Sequence, residues 1–306
     1  MSATNRFNLG DFPLWSALIT PFTNNGDVDY DDLLALLKAQ EEAKNGILVL
    51  GSTGEALNID LQTKQDIIRF CCEQELTVPL MVGVGGSMLK DTLDWINWLN
   101  DMPIDSLLTV TPLYAKPGYH GQTAWFKALL DAADVPCVLY NVPGRTAVSL
   151  DFNTVNDLLH HENFYGIKEA SGDVDSFKAY CRAAPGKFMF CGDDALMPEF
   201  TRAGAQGLIS VVSNVWPRAT HLYVQQNLNS TFLDISVWRK ACNTMMCVSN
   251  PIPVKRLLNA KEVIKSAFLQ PPLHANDLTE IMPLIQQDQA IKDWYIQNTK
   301  YSKRIS

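Results

Sequence analysis

Short apolar runs alternate with stretches of helical period eight times along this chain, and that rhythm constrains its fold more than any single residue. The runs are Leu14–Ile19, Gly46–Leu50, Pro79–Val84, Ser106–Val110, Pro136–Tyr140, Phe164–Lys168, Phe188–Cys191 and Gly207–Val212. Most are apolar without alternation, the pattern of strands covered on both faces. Between them lie helix signals. Asp29 stands where an N-cap belongs before Leu33, Leu34, Leu37 and Ala43, and Asp60 does so before Ile67, Ile68, Cys71 and Cys72. Further helices are expected over Leu89–Leu99 (buried stripe Leu93, Ile96, Leu99), Thr123–Ala132, Phe152–Leu159, Val174–Cys181 and through Met197 and Phe200.

Eight strand–helix units in roughly 200 residues is the arithmetic of a (β/α)8 TIM barrel. A doubly wound open sheet is the structural alternative, but Gly83-Val84-Gly85-Gly86 lacks the spacing and acidic partner of a dinucleotide fingerprint. The expected fold is therefore α/β: a barrel over residues 1–230, then a helical extension over 231–306 punctuated by Pro251, Pro253, Pro271 and Pro272.

A net charge of −8 argues against nucleic acid and against an anionic membrane surface as partners. Seven scattered cysteines show neither zinc-ligand spacing nor a disulfide framework, so they are expected to be small core hydrophobes in a reducing compartment. Met1–Gly10 lacks the pattern of a signal peptide, and no apolar run approaches the ~20 residues of a membrane helix. The expected location is the cytoplasm.

In a barrel of this kind, chemistry gathers where strands end. Ser52-Thr53 follow the second strand, Tyr114 the fourth, Tyr140 and Arg145 the fifth, and Lys168 closes the sixth. A lysine at the rim of a core loses hydration, which frees its amine for attack on a carbonyl. Taken alone, Lys168 better fits a strand-end lysine reaching solvent. Gly51-Ser52-Thr53-Gly54 fits either a tight strand-to-helix turn or an anion nest of N–H groups and hydroxyls. Tyr114 and Tyr140 suit core aromatics or proton relays. Arg145 suits a solvated loop or a bidentate carboxylate clamp.

Three ordered motifs carry a family resemblance: Gly51-Ser52-Thr53-Gly54-Glu55, Tyr140-Asn141-Val142-Pro143-Gly144-Arg145-Thr146 and Gly166-Ile167-Lys168-Glu169-Ala170-Ser171-Gly172. Together with Gly192-Asp193-Asp194 and the tail motif Asn250-Pro251-Ile252-Pro253-Val254-Lys255, they resemble the dihydrodipicolinate synthase and N-acetylneuraminate lyase family of class I aldolases. The resemblance implies that Lys168 forms a Schiff base with pyruvate, whose carboxylate Ser52 and Thr53 hold. Tyr140 would move protons at the imine, linked through the Ser52 hydroxyl to Tyr114 of a neighbouring subunit. Arg145 would receive the carboxylate of L-aspartate 4-semialdehyde, with Gly192 and Ile209 offering backbone carbonyls near the lysine. No metal or organic cofactor is implied. A homo-oligomer is, either a dimer or a tetramer of two dimers.

Within the family, Arg145 and Tyr114 favour the synthase reaction, which yields 4-hydroxy-tetrahydrodipicolinate on the route to diaminopimelate and lysine. Glu55-Ala56, and Ser52 where the synthase usually has threonine, lean towards an N-acetylneuraminate lyase or a 2-keto-3-deoxy sugar acid aldolase. A keto-acid-binding paralogue without turnover is the alternative from another class. Lysine-inhibited synthases have a histidine and a second tyrosine at their effector site. Here Leu113 precedes Tyr114, and Ala56, Leu57, Leu61 and Lys64 follow the turn, so weak or absent lysine feedback is expected.

Overall fold

Strand β1 (Leu14–Ala17) pairs in parallel with both β2 (Gly46–Val49) and β8 (Gly207–Ser210), which closes the sheet on itself. Between them run β3 (Leu80–Val84), β4 (Ser106–Val110), β5 (Cys137–Asn141), β6 (Phe164–Glu169) and β7 (Phe188–Cys191), each bonded to its sequence neighbours. The computed structural model describes residues 6–231 and 235–302. Its eight-stranded parallel barrel is the architecture expected from the alternation.

Helices α1 (Tyr30–Glu42), α2 (Leu61–Glu73), α3 (Leu89–Leu99) and α4 (Tyr119–Ala132) cover the outside of the first half. The caps fall where the sequence places them: Asp29 accepts from the Asp32 N–H, and Asp60 from the N–H and hydroxyl of Thr63. A short helix, α5 (Pro143–Thr146), carries Arg145 and begins with proline at its first position, where a missing N–H costs nothing. Helices α6 (Phe152–Leu158), α7 (Val174–Ala183), α8 (Met197–Arg202) and α9 (Pro217–Leu228) complete the ring.

Strands one and eight end earlier than their apolar runs, because side chains take over from the ladder. The Ile19 N–H donates to Asn214 Oδ1, and Asp194 Oδ2 accepts from the N–H groups of Val211 and Val212. Helix α4 starts four residues before Thr123, at a turn where Gln122 N–H bonds the Gly118 carbonyl. Glu169 belongs to β6 rather than to the turn that follows.

Two apolar layers result. One fills the barrel, where Trp15, Met81, Leu108, Tyr140, Phe190 and Ile209 meet; the other lies between sheet and helices. Beyond α9, helices α10 (Ser236–Met245), α11 (Ile252–Ala260) and α12 (Met282–Ser302) dock through an aromatic cluster. Trp238 stacks on Tyr223 of α9 with ring centroids 4.3 Å apart and meets Trp216 and Trp294 edge-on. Asp288 accepts from Trp216 Nε1 at 2.8 Å and pairs with Lys261 at 2.6 Å.

All seven cysteines are free. Cys71, Cys137, Cys191 and Cys242 are buried, and burial pushes their thiols upward. Cys72 and Cys181 are half-buried, and Cys247, just past α10, is exposed, so the expectation of seven core cysteines fails at these positions. Among the described residues no helix is long and apolar enough to cross a membrane.

Candidate active site

Lys168 reaches the site because β6 delivers it. It pairs in register with Tyr140 of β5 and Phe190 of β7, and residues in register on parallel strands project from the same face. Lys168 is 5 % exposed. Its Nζ lies 4.4 Å from the centroid of the Tyr140 ring. Gly192 leaves room for the lysine stem: a Cβ there would sit 3.1 Å from Lys168 Cε, 2.9 Å from the Glu169 carbonyl oxygen and 2.6 Å from Ala170 Cβ. Ile209 lies in the interior layer with Tyr140 and Phe190. Among the described residues no hydrogen bond joins its carbonyl, or that of Gly192, to the lysine amine.

Above this layer opens a cavity of about 430 Å³ whose wall includes Ser52, Tyr140, Arg145, Lys64, Trp95 and Leu113. The cations Lys64 and Arg145 line it, and among the described residues no acidic side chain does. The Gly51–Glu55 turn forms one side. It is flanked by two non-glycine residues in the left-handed region, Leu50 (φ 54°) and Glu55 (φ 56°), a conformation that persists only where surroundings enforce it. The N–H groups of Gly54, Glu55 and Ala56 are consumed within the turn, bonding the carbonyls of Gly51, Ser52 and Gly51. Those of Ser52 and Thr53 make no hydrogen bond within the described chain. They are the donors an anion can use. Thr53 is buried, and its Oγ1 accepts from Asn250 Nδ2 at 2.8 Å.

Arg145 is exposed at the rim, and its Nη2 donates to the Asn250 carbonyl at 3.3 Å. The loop bearing it is anchored from below. Asn141 Oδ1 accepts from the Leu150 N–H at 2.9 Å, and Asn141 Nδ2 donates to the buried carboxylate of Glu169. Glu169 also takes the Ser171 N–H at 2.6 Å, while burial pushes its carboxyl upward.

Tyr114 is not brought into the cavity within one chain. It sits on the loop after β4 at φ 65° and is 94 % exposed. Residues the sequence reading left without a role support the turn instead. Glu55 and Lys255 form a fully buried ion pair at 2.5 Å. Glu55 also accepts from the Gln270 N–H at 2.8 Å, and Lys255 donates to the Phe268 carbonyl at 2.9 Å. Burial pushes Lys255 down and Glu55 up, each towards its neutral form, against their mutual attraction. Both residues stood in recognised motifs, but their pairing over 200 positions leaves no periodic trace. Among the described residues no group of three or more His, Cys, Asp or Glu side chains is placed to hold a metal ion.

The fold and site together define a barrel equipped for imine chemistry: a buried strand-end lysine under a tyrosine, beside a turn with unspent donors. Residues 13–287 match the model of the dihydrodipicolinate synthetase family, and the chain belongs to that family. A 4-hydroxy-tetrahydrodipicolinate synthase of Wolbachia pipientis subsp. Culex pipiens (strain wPip) is 43% identical over 282 residues, covering 92% of this chain and 96% of the relative. The solved 4-hydroxy-tetrahydrodipicolinate synthase of Methylacidiphilum fumariolicum SolV superposes with a TM-score of 0.88 at 28% identity, covering 95% of this chain and 98% of the other. A chloride-inhibited dihydrodipicolinate synthase from Acinetobacter baumannii, solved in complex with pyruvate, gives a TM-score of 0.86 at 29% identity, covering 92% and 99%.

Proposed function

We propose that this chain condenses pyruvate with L-aspartate 4-semialdehyde to give 4-hydroxy-tetrahydrodipicolinate and water. The observation that carries the reading is the placement of the buried Lys168 amine against Tyr140, whose ring lines the cavity. The amine attacks the pyruvate ketone, and loss of water gives the imine. The imine is itself the electron sink, so loss of a methyl proton yields the enamine without a metal or organic cofactor. Tyr140 moves protons on and off the reacting oxygen and nitrogen. Ser52 and Thr53 hold the pyruvate carboxylate with their unspent N–H groups and hydroxyls.

The enamine carbon then bonds the aldehyde carbon of the second substrate. Arg145 at the rim receives that substrate's carboxylate, as a guanidinium does bidentately. The substrate's own amine displaces Lys168 from the imine carbon, closing the ring and returning the free lysine. Gly192 gives the lysine stem its space, and Ile209 packs the layer beneath.

The assembly that suits this chemistry is a homo-oligomer, a dimer at least. Its support is Tyr114: a tyrosine 94 % exposed on a left-handed residue stands ready to enter a neighbour's cavity and extend the Ser52–Tyr140 relay. The fitting location is the cytoplasm, where both substrates are small soluble metabolites.

Borohydride reduction with pyruvate, read by mass spectrometry, tests the imine; an adduct on Lys168 is expected, and none on a folded protein overturns the reading. Turnover with aspartate semialdehyde set against cleavage of sialic acid tests the acceptor. Arg145→Ala is expected to lower kcat/KM for the semialdehyde by about 30-fold or more, the loss of a charge-assisted contact of about 2–3 kcal/mol. The pyruvate adduct should form as before; equal loss in both removes the role given to Arg145.

A further inference from the structure

The tail motif Asn250–Lys255 lies far along the chain from every strand end, yet it grips the Ser52-Thr53 turn at two points. Asn250 Nδ2 reaches Thr53 Oγ1 at 2.8 Å, and five residues on Lys255 pairs with Glu55, two residues past Thr53. Asn250 is 8 % exposed. Its amide donor is committed to Thr53, while its Oδ1 is buried without a hydrogen-bond partner. A buried orphan acceptor carries a cost of about 1–3 kcal/mol, so the orientation that presents the donor to Thr53 is bought at the expense of the oxygen. The main-chain carbonyl of the same residue accepts from Arg145 Nη2 at 3.3 Å.

A threonine hydroxyl has one proton to give and two lone pairs to offer. An amide N–H₂ only donates, so its bond to Thr53 occupies a lone pair and leaves the hydroxyl proton free. An anion beside the Ser52 and Thr53 N–H groups needs that proton; a hydroxyl turned round would offer it a lone pair instead.

We propose that Asn250 is a positioning residue for the donor substrate: it fixes the Thr53 hydroxyl as an outgoing donor to the pyruvate carboxylate. This rests on the reading that Thr53 holds that carboxylate. The residue touches neither substrate in this account and acts through Thr53. Because Arg145 is held by the Asn250 main chain, side-chain changes at 250 leave that second contact in place.

The test compares Asn250→Asp, Asn250→Ala and the parent, each alone and with Thr53→Val. In ping-pong kinetics, kcat/KM for each substrate reports its own half-reaction. The Asp variant accepts the hydroxyl proton and brings a like charge, so kcat/KM for pyruvate should fall by about 100-fold. The Ala variant leaves the hydroxyl undirected and should lose about tenfold. For the semialdehyde, both should stay within about threefold of the parent, and in the Thr53→Val background neither substitution should cost much more. The proposal is overturned if both variants fold and keep pyruvate kcat/KM within about twofold, if both substrates lose equally, if the losses persist undiminished with Thr53→Val, or if neither variant folds, which would make Asn250 a structural residue. The parent's pyruvate adduct separates the levels. With no adduct in the parent, the underlying reading fails and takes the proposal with it; with an adduct and any of those outcomes, the proposal alone fails.

Discussion

Lys168 Nζ lies 4.4 Å from the centre of the Tyr140 ring, and the two residues are register partners on adjacent parallel strands. Strand pairing, not loop conformation, sets that distance, so the proposed nucleophile and proton carrier stand on barrel strands rather than on loops. Tyr140→Phe keeps the ring and removes the hydroxyl. It should lower kcat by about 10²–10⁴-fold, the span of one general acid–base group. The pyruvate adduct should still form, more slowly. Stopped-flow imine formation beside steady-state turnover checks this, and unchanged turnover would remove Tyr140 from proton transfer.

Gly192→Ala brings a methyl within 3.1 Å of Lys168 Cε and closer still to the Glu169 carbonyl and Ala170 Cβ. The neighbours must shift, with a loss of about 1–3 kcal/mol in stability. Displacing the lysine stem should cost about 10²-fold in kcat/KM for pyruvate, as misplacement near 1 Å does. Thermal melts and initial rates read the two effects separately. Normal kinetics in this variant would mean the lysine does not need the space.

Lys255→Met strands the Glu55 carboxylate in a fully buried site. Breaking a buried pair from one side costs about 3–5 kcal/mol, and the double change Glu55→Leu with Lys255→Met should restore much of it. Denaturant unfolding of the parent, Glu55→Leu, Lys255→Met and the double variant measures the coupling; a double variant no better than Lys255→Met would contradict the pairing's role.

Asp194 gives the enzyme a pH signature. Burial raises its carboxyl from 3.8 to about 6, outweighing the Ser210 hydroxyl and the Val211 and Val212 N–H groups that favour the charge. Between those two pH values the folded chain keeps a proton that the unfolded chain has released. The contribution is therefore full below pH 3.8 and lost as pH rises through about 6. Relative to Asp194→Asn, the parent should lose up to about 3 kcal/mol of unfolding free energy over that window, at about 1.4 kcal/mol per unit. Parallel unfolding curves at each pH test this; a difference that does not change with pH would refute it.

Lysine should inhibit weakly or not at all. Lys64 lines the cavity beside Ala56, Leu57 and Leu113, half-buried, and desolvation lowers the pKa of its ammonium. A second ammonium about 4 Å away would meet a repulsion near 4 kcal/mol at an effective dielectric of 20. Initial rates titrated with L-lysine should stay flat into the millimolar range. Strong inhibition below that range would sink the prediction.

The barrel was legible because each strand is a local apolar run and each helix a local period, and caps such as Asp29 and Asp60 announce themselves within four residues. The positions of Lys168, Tyr140, Ser52 and Arg145 were legible for the same reason: each lies in the last residues of a strand or just after one, and strand ends share one rim. Strand ends at Ala17 and Ser210 were not, since Asn214 and Asp194 terminate them from distant positions.

The sequence by itself determined the eight-unit rhythm, the residue types at the strand ends and the motifs that mark the family. Only the tertiary structure decided that Lys168 lies against Tyr140, that Asn250 reaches Thr53 across 197 positions and that Lys255 buries its charge on Glu55. The reason is physical. Periodicity and capping act over a few residues and leave a pattern in the chain. A hydrogen bond or ion pair closed across the barrel depends on where two segments meet, which neither segment encodes alone.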